Sequence, residues 1–286
     1  MRSEPSKVRS TTMSIAVNPE YETLCHECEI LREELTALAL EREHLCSTVI
    51  PNLKAEYQVK IGVKEYELFI KKCELQRIRR KIELIQAALN RMEPVTIAAV
   101  EAKLDAEFAE WQEKIERMAG DIKAAEYLQA QEKMSHQDHQ QLQKMFRQIA
   151  KRLHPDINPG LSEEQQRLWL RASTAYKEGD SNGLLAVSLM LEDFPEAPLP
   201  TAVDELTERR DVLKRQINSA LAVIDGVRKT FPLNQLHDIS NPEWITGKQD
   251  ELNLVITEMN GQIASVSEIL SFMAGGMVHG KSTATH

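Results

Sequence analysis

The chain has 286 residues and a formal net charge of -9, with 42% apolar, 28% charged and only 5% aromatic residues. This acidic balance argues against binding nucleic acid through the whole surface, and no apolar run approaches the roughly 18 residues of a membrane-spanning helix. Low aromatic content beside many Ala, Leu, Glu and Lys residues is typical of extended helices, in a chain long enough for about two or three domains.

The N-terminal region begins with a polar stretch, residues 1–18, whose lack of periodicity predicts disorder and which has no apolar segment of the secretory type. Apolar residues then recur at alternating steps of three and four, the spacing by which a helix presents one seam to a partner helix. Arg42 interrupts this seam, and Pro51 indicates a break near its end. The seam consists of Tyr21, Leu24, Cys28, Leu31, Leu35, Leu38, Leu45 and Val49.

Two further apolar seams follow, one from Ile78 to Met92 and one from Ile97 to Ala125, with Pro94 between them. Short connections between long helices favour antiparallel neighbours. Residues 19–130 are therefore predicted to form a coiled-coil arm, either a hairpin or a three-helix bundle.

A short basic helix is predicted over residues 141–154. Its apolar residues share one face at three- and four-residue steps, and its cations lie off that face with no acid between them. Because Pro155 disfavours helical geometry at the preceding residue, the helix should end at His154, leaving His154, Pro155 and Asp156 on an exposed loop. The apolar face consists of Leu142, Met145, Phe146, Ile149, Ala150 and Leu153, and the cations are Lys144, Arg147, Lys151 and Arg152.

A second short helix follows the loop. Ser162 can cap its N-terminus, with Gln165 at the reciprocal position of a capping box. Two apolar-faced helices joined by a polar loop that contains Pro159 and Gly160 predict an antiparallel hairpin. The apolar face of the second helix consists of Trp169, Ala172, Ala175 and Tyr176.

The segment from Leu142 to Tyr176 resembles a J-domain, the module by which DnaJ-type co-chaperones engage DnaK-type chaperones. It has the basic helix, the His-Pro-Asp loop and an aromatic-x-x-small-x-x-Ala-Tyr helix. J-domains usually open with a Tyr-x-x-Leu-Gly helix, whereas Tyr127-Leu128 is followed by no Leu-Gly, and the end of the upstream arm is a candidate for that helix. With helical arms on both sides, the chain is similar to a group of bacterial J-domain proteins.

This resemblance implies that the loop and the basic helix dock on the ATPase domain of a DnaK-type chaperone and accelerate ATP hydrolysis. A basic face would also steer an acidic partner towards the loop. The alternative interpretation is an ordinary proline-containing turn beside a solvated charged face. The implied docking residues are His154, Pro155, Asp156, Arg147 and Arg152, with Lys144 and Lys151 as additions.

The C-terminal part is predicted to begin after the J-like domain, residues 135–193, with a proline-rich linker, 194–201. Apolar seams from Leu213 to Phe231 and from Leu252 to Met273 predict an antiparallel coiled-coil hairpin over residues 202–275. Residues 276–286 are predicted to be a flexible tail.

Two motif-like patterns are interpreted as coincidences. Residues 275–282 match the phosphate-binding pattern G-x-x-x-x-G-K-S, but that loop requires a preceding strand and a following helix, and here a helix precedes it. Cys25, Cys28, His44 and Cys46 suggest a metal site, yet Cys28 and His44 lie 16 residues apart, about 24 Å along one helix. Ligands of one ion lie within about 2.0–2.3 Å of it, so Cys28 is predicted to be a core residue.

Two weaker candidate sites have simpler explanations. The basic run 71–81 could contact nucleic acid, but pairing with nearby glutamates on a helix surface is favoured. His136 and His139, beside several Gln residues, are interpreted as part of a loop entering the next helix instead of a ligand pair.

The sequence therefore predicts an all-α J-domain co-chaperone without enzymatic activity, metal or cofactor of its own. Its expected partner is a DnaK-type chaperone, and its arms are candidates for capture of unfolded clients or for self-association. Four cysteines outside a disulfide framework favour reduced thiols in the cytoplasm. The alternative is a coiled-coil scaffold whose J-like hairpin activates nothing.

Overall fold

A computed structural model describes residues 19–94, 96–131, 135–192, 194 and 202–280, without the side chains of His136 and residues 274–280. The described residues are mostly helical and include no strand, so the chain is all-α, as predicted. The predicted disordered segment 1–18 and residues 195–201 of the predicted linker lie outside the described residues. No helix in the described ranges is long and apolar enough to cross a membrane.

The helices of the N-terminal half follow one another closely along the chain. A π-helical stretch, Leu45–Val49, precedes Pro51. This is the local form of the break predicted there, because proline lacks an amide hydrogen and its ring clashes with the carbonyl four residues before it. The helices are α1 (Pro19–His44), α2 (Ile50–Tyr57), α3 (Val63–Asn90), α4 (Ile97–Glu107) and α5 (Ala109–Ala130), with a second π-helical stretch at Gln58–Gly62.

The C-terminal half contains three shorter helices followed by two long ones, with the four-residue α10 between the long helices. The helices are α6 (His136–Leu153), α7 (Glu163–Glu178), α8 (Ser181–Leu191), α9 (Val203–Arg228), α10 (Leu236–Ile239) and α11 (Pro242–Gly280). Helix α11 includes residues 276–280, which the sequence assigned to a flexible tail. Glycine in a helix interior costs only about 1 kcal/mol, so Gly275 and Gly276 do not have to end this helix.

The chain forms two compact units. The first contains α1, α6, α7, α8 and α9 as far as Val227, and it has two apolar clusters. One cluster lies among α6, α7 and α8, with Phe146, Ala172 and Leu184 fully buried. In the other, the predicted seam of α1 packs on the seam of α9, with Leu35 and Leu206 almost fully buried.

The second unit contains α2 to α5, α10 and α11. Ile61 and Leu68 pack against Ile245, Leu252 and Ile256 on α11. The ring of Phe69 on α3 stacks on Trp111 of α5, with centroids 5.4 Å apart.

This grouping differs from the predicted order of arm 19–130, J-like domain 135–193 and hairpin 202–275. The apolar seams themselves were predicted, but α1 pairs with α9 in the first unit and α3 pairs with α11 in the second. A heptad pattern specifies which face of a helix is apolar, but it does not specify which other helix packs against that face. The description of these helices as coiled-coil arms stays a prediction.

A prediction for stability follows from Ile217 and Ile263, which lie on the two seams predicted to pair in the C-terminal hairpin. Ile217 is 6% exposed and packs in the α1–α9 cluster, whereas Ile263 on α11 is only partly buried. We therefore expect Ile217→Asp to destabilise the first unit by several kcal/mol, because its carboxylate is buried without a partner. Ile263→Asp should cost less. Urea unfolding followed by circular dichroism measures both, and a larger loss from Ile263→Asp would contradict this packing.

Candidate docking site around His154

Helix α6 begins earlier than the sequence predicted. Ser135 caps it, and its hydroxyl accepts a hydrogen bond of 3.2 Å from the amide of Asp138. His136 and His139 therefore belong to the first turn of α6, not to a loop. The cap was missed because these residues carry no apolar periodicity of their own.

The apolar face of α6 is buried as predicted, which orients the helix. Leu142, Phe146, Ile149 and Leu153 are each at most 2% exposed. The ring of Phe146 stacks on Tyr176 of α7 at 4.2 Å between centroids and on Trp169 at 5.4 Å. These contacts assemble the predicted hairpin.

The capping box predicted at the start of α7 is present. The side chain of Ser162 accepts from the amide of Gln165 at 3.2 Å, and the side chain of Gln165 accepts from the amide of Ser162 at 2.9 Å. Gly179 ends the helix in the left-handed conformation with φ 71°. Both ends of α7 are thus determined by local sequence.

The turn after α6 is closed by hydrogen bonds. His154 has extended geometry (φ -69°, ψ 127°), as expected before Pro155. Its carbonyl accepts from the amides of Ile157 at 3.0 Å and Asn158 at 2.9 Å. The side-chain amide of Asn158 donates to the carbonyl of Lys151 at 3.0 Å, satisfying one of the last carbonyls of α6.

The side chain of His154 is buried, which corrects the prediction that the whole triad is exposed. His154 is 3% exposed, and its ring lies edge-on to Trp169 at 4.7 Å between centroids. Its Nδ1 accepts a hydrogen bond of 3.1 Å from the amide of Asp156, which places the ring proton on Nε2 in the neutral form. The spacing of the apolar residues places His154 off the apolar face of α6. The turn nevertheless directs the ring of His154 back towards Trp169 on α7.

Burial lowers the pKa of His154 below its ordinary value of 6.5. The neighbouring Arg42 lowers this pKa further, while Asp156 and Glu43 raise it and only partly offset the desolvation. The imidazole is therefore neutral at neutral pH, in agreement with its role as a hydrogen-bond acceptor.

This pKa shift leads to an expected pH dependence of stability. Between the lowered pKa of the folded state and 6.5, the unfolded chain binds a proton that the folded chain does not. We expect the free energy of unfolding of the first unit to decrease as pH falls below about 6.5, towards the pKa of the folded state. Chemical unfolding between pH 5 and 8 measures the slope.

The pH experiment also needs a control for His44. Burial lowers the pKa of His44, and the nearby His139 lowers it further. The variant His154→Gln should have a shallower slope than the wild type, and His44→Gln measures the separate contribution of His44. An unchanged slope in His154→Gln would contradict the assignment to His154.

Pro155 and Asp156 face outward, in contrast to His154. The carboxylate of Asp156 is 45% exposed and forms an ion pair of 3.1 Å with Arg42 of α1. The carbonyl of Asp156 accepts from the side-chain amide of Gln216 on α9 at 2.8 Å. The triad thus has one buried anchor and two outward residues, held from both sides by other helices of the unit.

The four predicted cations of α6 have different surroundings. Arg147 and Lys151 both pair with Glu33 of α1, the first at 3.0 Å. Arg152 instead donates to the carbonyl of Phe194, after α8. Lys144 is exposed and borders a groove beside α1. Lys151 and Arg152 also lie in the last turn of α6, where cations are favoured by about 0.3–1 kcal/mol each.

Sequence reasoning missed the charged residues of α1 that contact this site. Besides Glu33 and Arg42, Arg32 donates to the carbonyl of Lys151 at 2.9 Å and to the side chain of Asn158 at 3.2 Å. One signal was available, since Arg42 interrupts the apolar seam of α1. Helix α1 therefore packs on α6 in the first unit, in addition to α7 and α8.

The two other candidate sites have ordinary surroundings. In the basic run, Arg77 and Lys81 pair with Glu101, and Arg80 pairs with Glu107, as the favoured interpretation expected. Cys28 is 5% exposed in the α1–α9 cluster, where its thiol donates to the carbonyl of Leu206 at 3.6 Å. Within the described residues, no three His, Cys, Asp or Glu side chains are placed to hold a metal ion.

Comparisons with protein-family models, with curated proteins and with solved structures find no match to the chain. The interpretation of the site therefore depends on its residues and their geometry.

Proposed function

We propose that the protein is a J-domain co-chaperone that docks on a DnaK-type chaperone and stimulates its ATP hydrolysis. The observation that carries the proposal is the turn at His154, Pro155 and Asp156. A buried imidazole anchors this turn to Trp169 while the proline and the carboxylate face outward. Exposed loop residues positioned by a rigid scaffold are typical of a recognition site.

The packing around the turn supports the proposal. Helices α6, α7 and α8 share one apolar cluster within the first unit, and the turn connects two of these helices. Arg147 and Lys151 lie on the helix that leads into the turn, and both remain at least 40% exposed. A basic helix beside an outward carboxylate can orient an acidic partner on the turn.

In this proposal the ATP and the catalytic residues belong to the chaperone. The protein would contribute only binding contacts to the reaction. It would bind the chaperone in the cytoplasm. The remaining long helices are proposed to capture unfolded clients or a second copy of the chain.

The test is single-turnover ATP hydrolysis by the cognate DnaK-type chaperone, measured over a range of concentrations of the full chain. We expect hydrolysis to accelerate and then saturate. No acceleration at any concentration, together with no binding in a sedimentation or calorimetric titration, would refute the proposal.

A scaffold with a non-activating hairpin is the second candidate. The observation that favours it is the pairing of Arg147, Lys151 and Asp156 with charges of α1, which partly satisfies the groups a partner would need. The scaffold predicts that neither the wild type nor variants lacking those α1 charges accelerate hydrolysis.

A further inference from the structure

Two charged residues of α1 contact the outward groups of the candidate docking site. Glu33 lies between Arg147 and Lys151 of α6, and Arg42 lies 3.1 Å from the carboxylate of Asp156. Helix α1 therefore places a carboxylate beside the two cations of α6 and a guanidinium beside the carboxylate of the turn. The charges are complementary at both positions.

These contacts are not needed to complete the local fold. The turn closes through its own backbone and Asn158, and Arg32 is the α1 residue that bonds the carbonyl of Lys151 near the end of α6. Glu33 and Arg42 instead contact side chains that the docking interaction would use. Their side chains are 38% and 33% exposed, so they lie at the edge of the helix contact and outside its core.

The attachment of α1 itself depends on other residues. Leu24, Cys28, Leu35 and Ala39 are buried against α9 and Ile157. Removing the charge of Glu33 or Arg42 should therefore leave α1 in place. It would, however, release the charged groups of the docking site.

We propose that α1 competes with the docking partner within the same chain. Glu33 and Arg42 form ion pairs with the charged groups that the partner must contact. This inference rests on the proposed function, because it concerns regulation of the same site. A chaperone binds only by exchanging these internal ion pairs for its own. The competition lowers the affinity of the resting protein, and any signal that neutralises or displaces this part of α1 raises it.

The experiment compares the affinity of the full-length protein for the DnaK-type chaperone with that of Glu33→Gln, Arg42→Gln and the double variant. Exposed ion pairs are weak, so we expect each single variant to bind roughly two- to fivefold more tightly than the wild type. The double variant should bind more tightly than either single variant, because the two contacts involve different groups. Stimulated ATP hydrolysis should reach half its maximum at correspondingly lower concentrations.

Matched controls separate competition from a change of net charge. Glu34→Gln removes the same charge one residue along α1, where the side chain is exposed, and Arg167→Gln removes a cation from an exposed position of α7. Both controls should bind like the wild type. Circular dichroism and the midpoint of thermal unfolding verify that each variant is folded. Glu33→Ala serves as a second variant at this position if Glu33→Gln unfolds.

The outcomes separate the inference from the function on which it rests. Tighter binding by Glu33→Gln than by Glu34→Gln supports the inference. Equal binding by the wild type, the α1 variants and the controls keeps the proposed function and overturns the inference alone. Absence of binding by every protein, including the double variant, overturns both.

Discussion

The replacement of Asp156 by Asn is expected to abolish stimulation of the chaperone ATPase while leaving the protein folded. The carboxylate of Asp156 is 45% exposed, and its ion pair with Arg42 lies at the surface. Exposed pairs contribute about 0–1 kcal/mol, so the loss of this one should hardly affect stability. A charged group at a docking contact has a much larger effect on the partner, because the loss of one buried, hydrogen-bonded charge at an interface costs about 2–5 kcal/mol.

Single-turnover ATP hydrolysis with the wild type and Asp156→Asn measures this effect. We expect the variant to reduce stimulation to near the basal rate, whereas Glu164→Gln, at an exposed position of α7, should stimulate like the wild type. Full stimulation by Asp156→Asn would show that the turn is not the docking contact.

The variant His154→Gln should lose stimulation as well, but it is a less selective test. The ring is buried against Trp169 and accepts from the amide of Asp156, so its replacement should also destabilise the turn by about 1–3 kcal/mol. The exposed loop predicted from the sequence did not indicate this loss of stability. Asp156→Asn therefore separates function from folding more clearly than His154→Gln.

The largest expected effect on stability is that of Phe146→Ala. Phe146 is 0% exposed and stacks between Tyr176 and Trp169, where it joins α6 to α7. Truncation of a buried Phe to Ala costs about 3–5 kcal/mol, through lost burial and the cavity left behind. We expect a clearly lower urea midpoint for the first unit, together with a change in the fluorescence of Trp169.

The control for this experiment is Leu170→Ala on α7. Leu170 is 65% exposed, and its truncation should change the free energy of unfolding by no more than about 0.5 kcal/mol. If both variants lower the midpoint equally, the hairpin is not held together by the cluster of α6, α7 and α8.

Local features of the hairpin could be predicted because neighbouring residues determine them. The capping box at Ser162, the end of α6 before Pro155 and the buried face with Phe146 all depend on residues within a few positions of each other. The apolar seams of α1 and α9 were predicted for the same reason. Their pairing was not, because many apolar stripes of similar spacing compete for the same partner.

The sequence by itself determined the all-α class, the main apolar faces and the turn at His154, since each follows from local spacing and proline geometry. Only the tertiary structure decided that His154 is buried and that α1 brings Glu33 and Arg42 to the turn. The ion pairs of Glu33 and Arg42 join residues more than a hundred positions apart, and the burial of His154 depends on how α7 packs beside the turn. Local spacing contains no information on which helices meet, so the α1 charges around the candidate docking site became visible only in the folded chain.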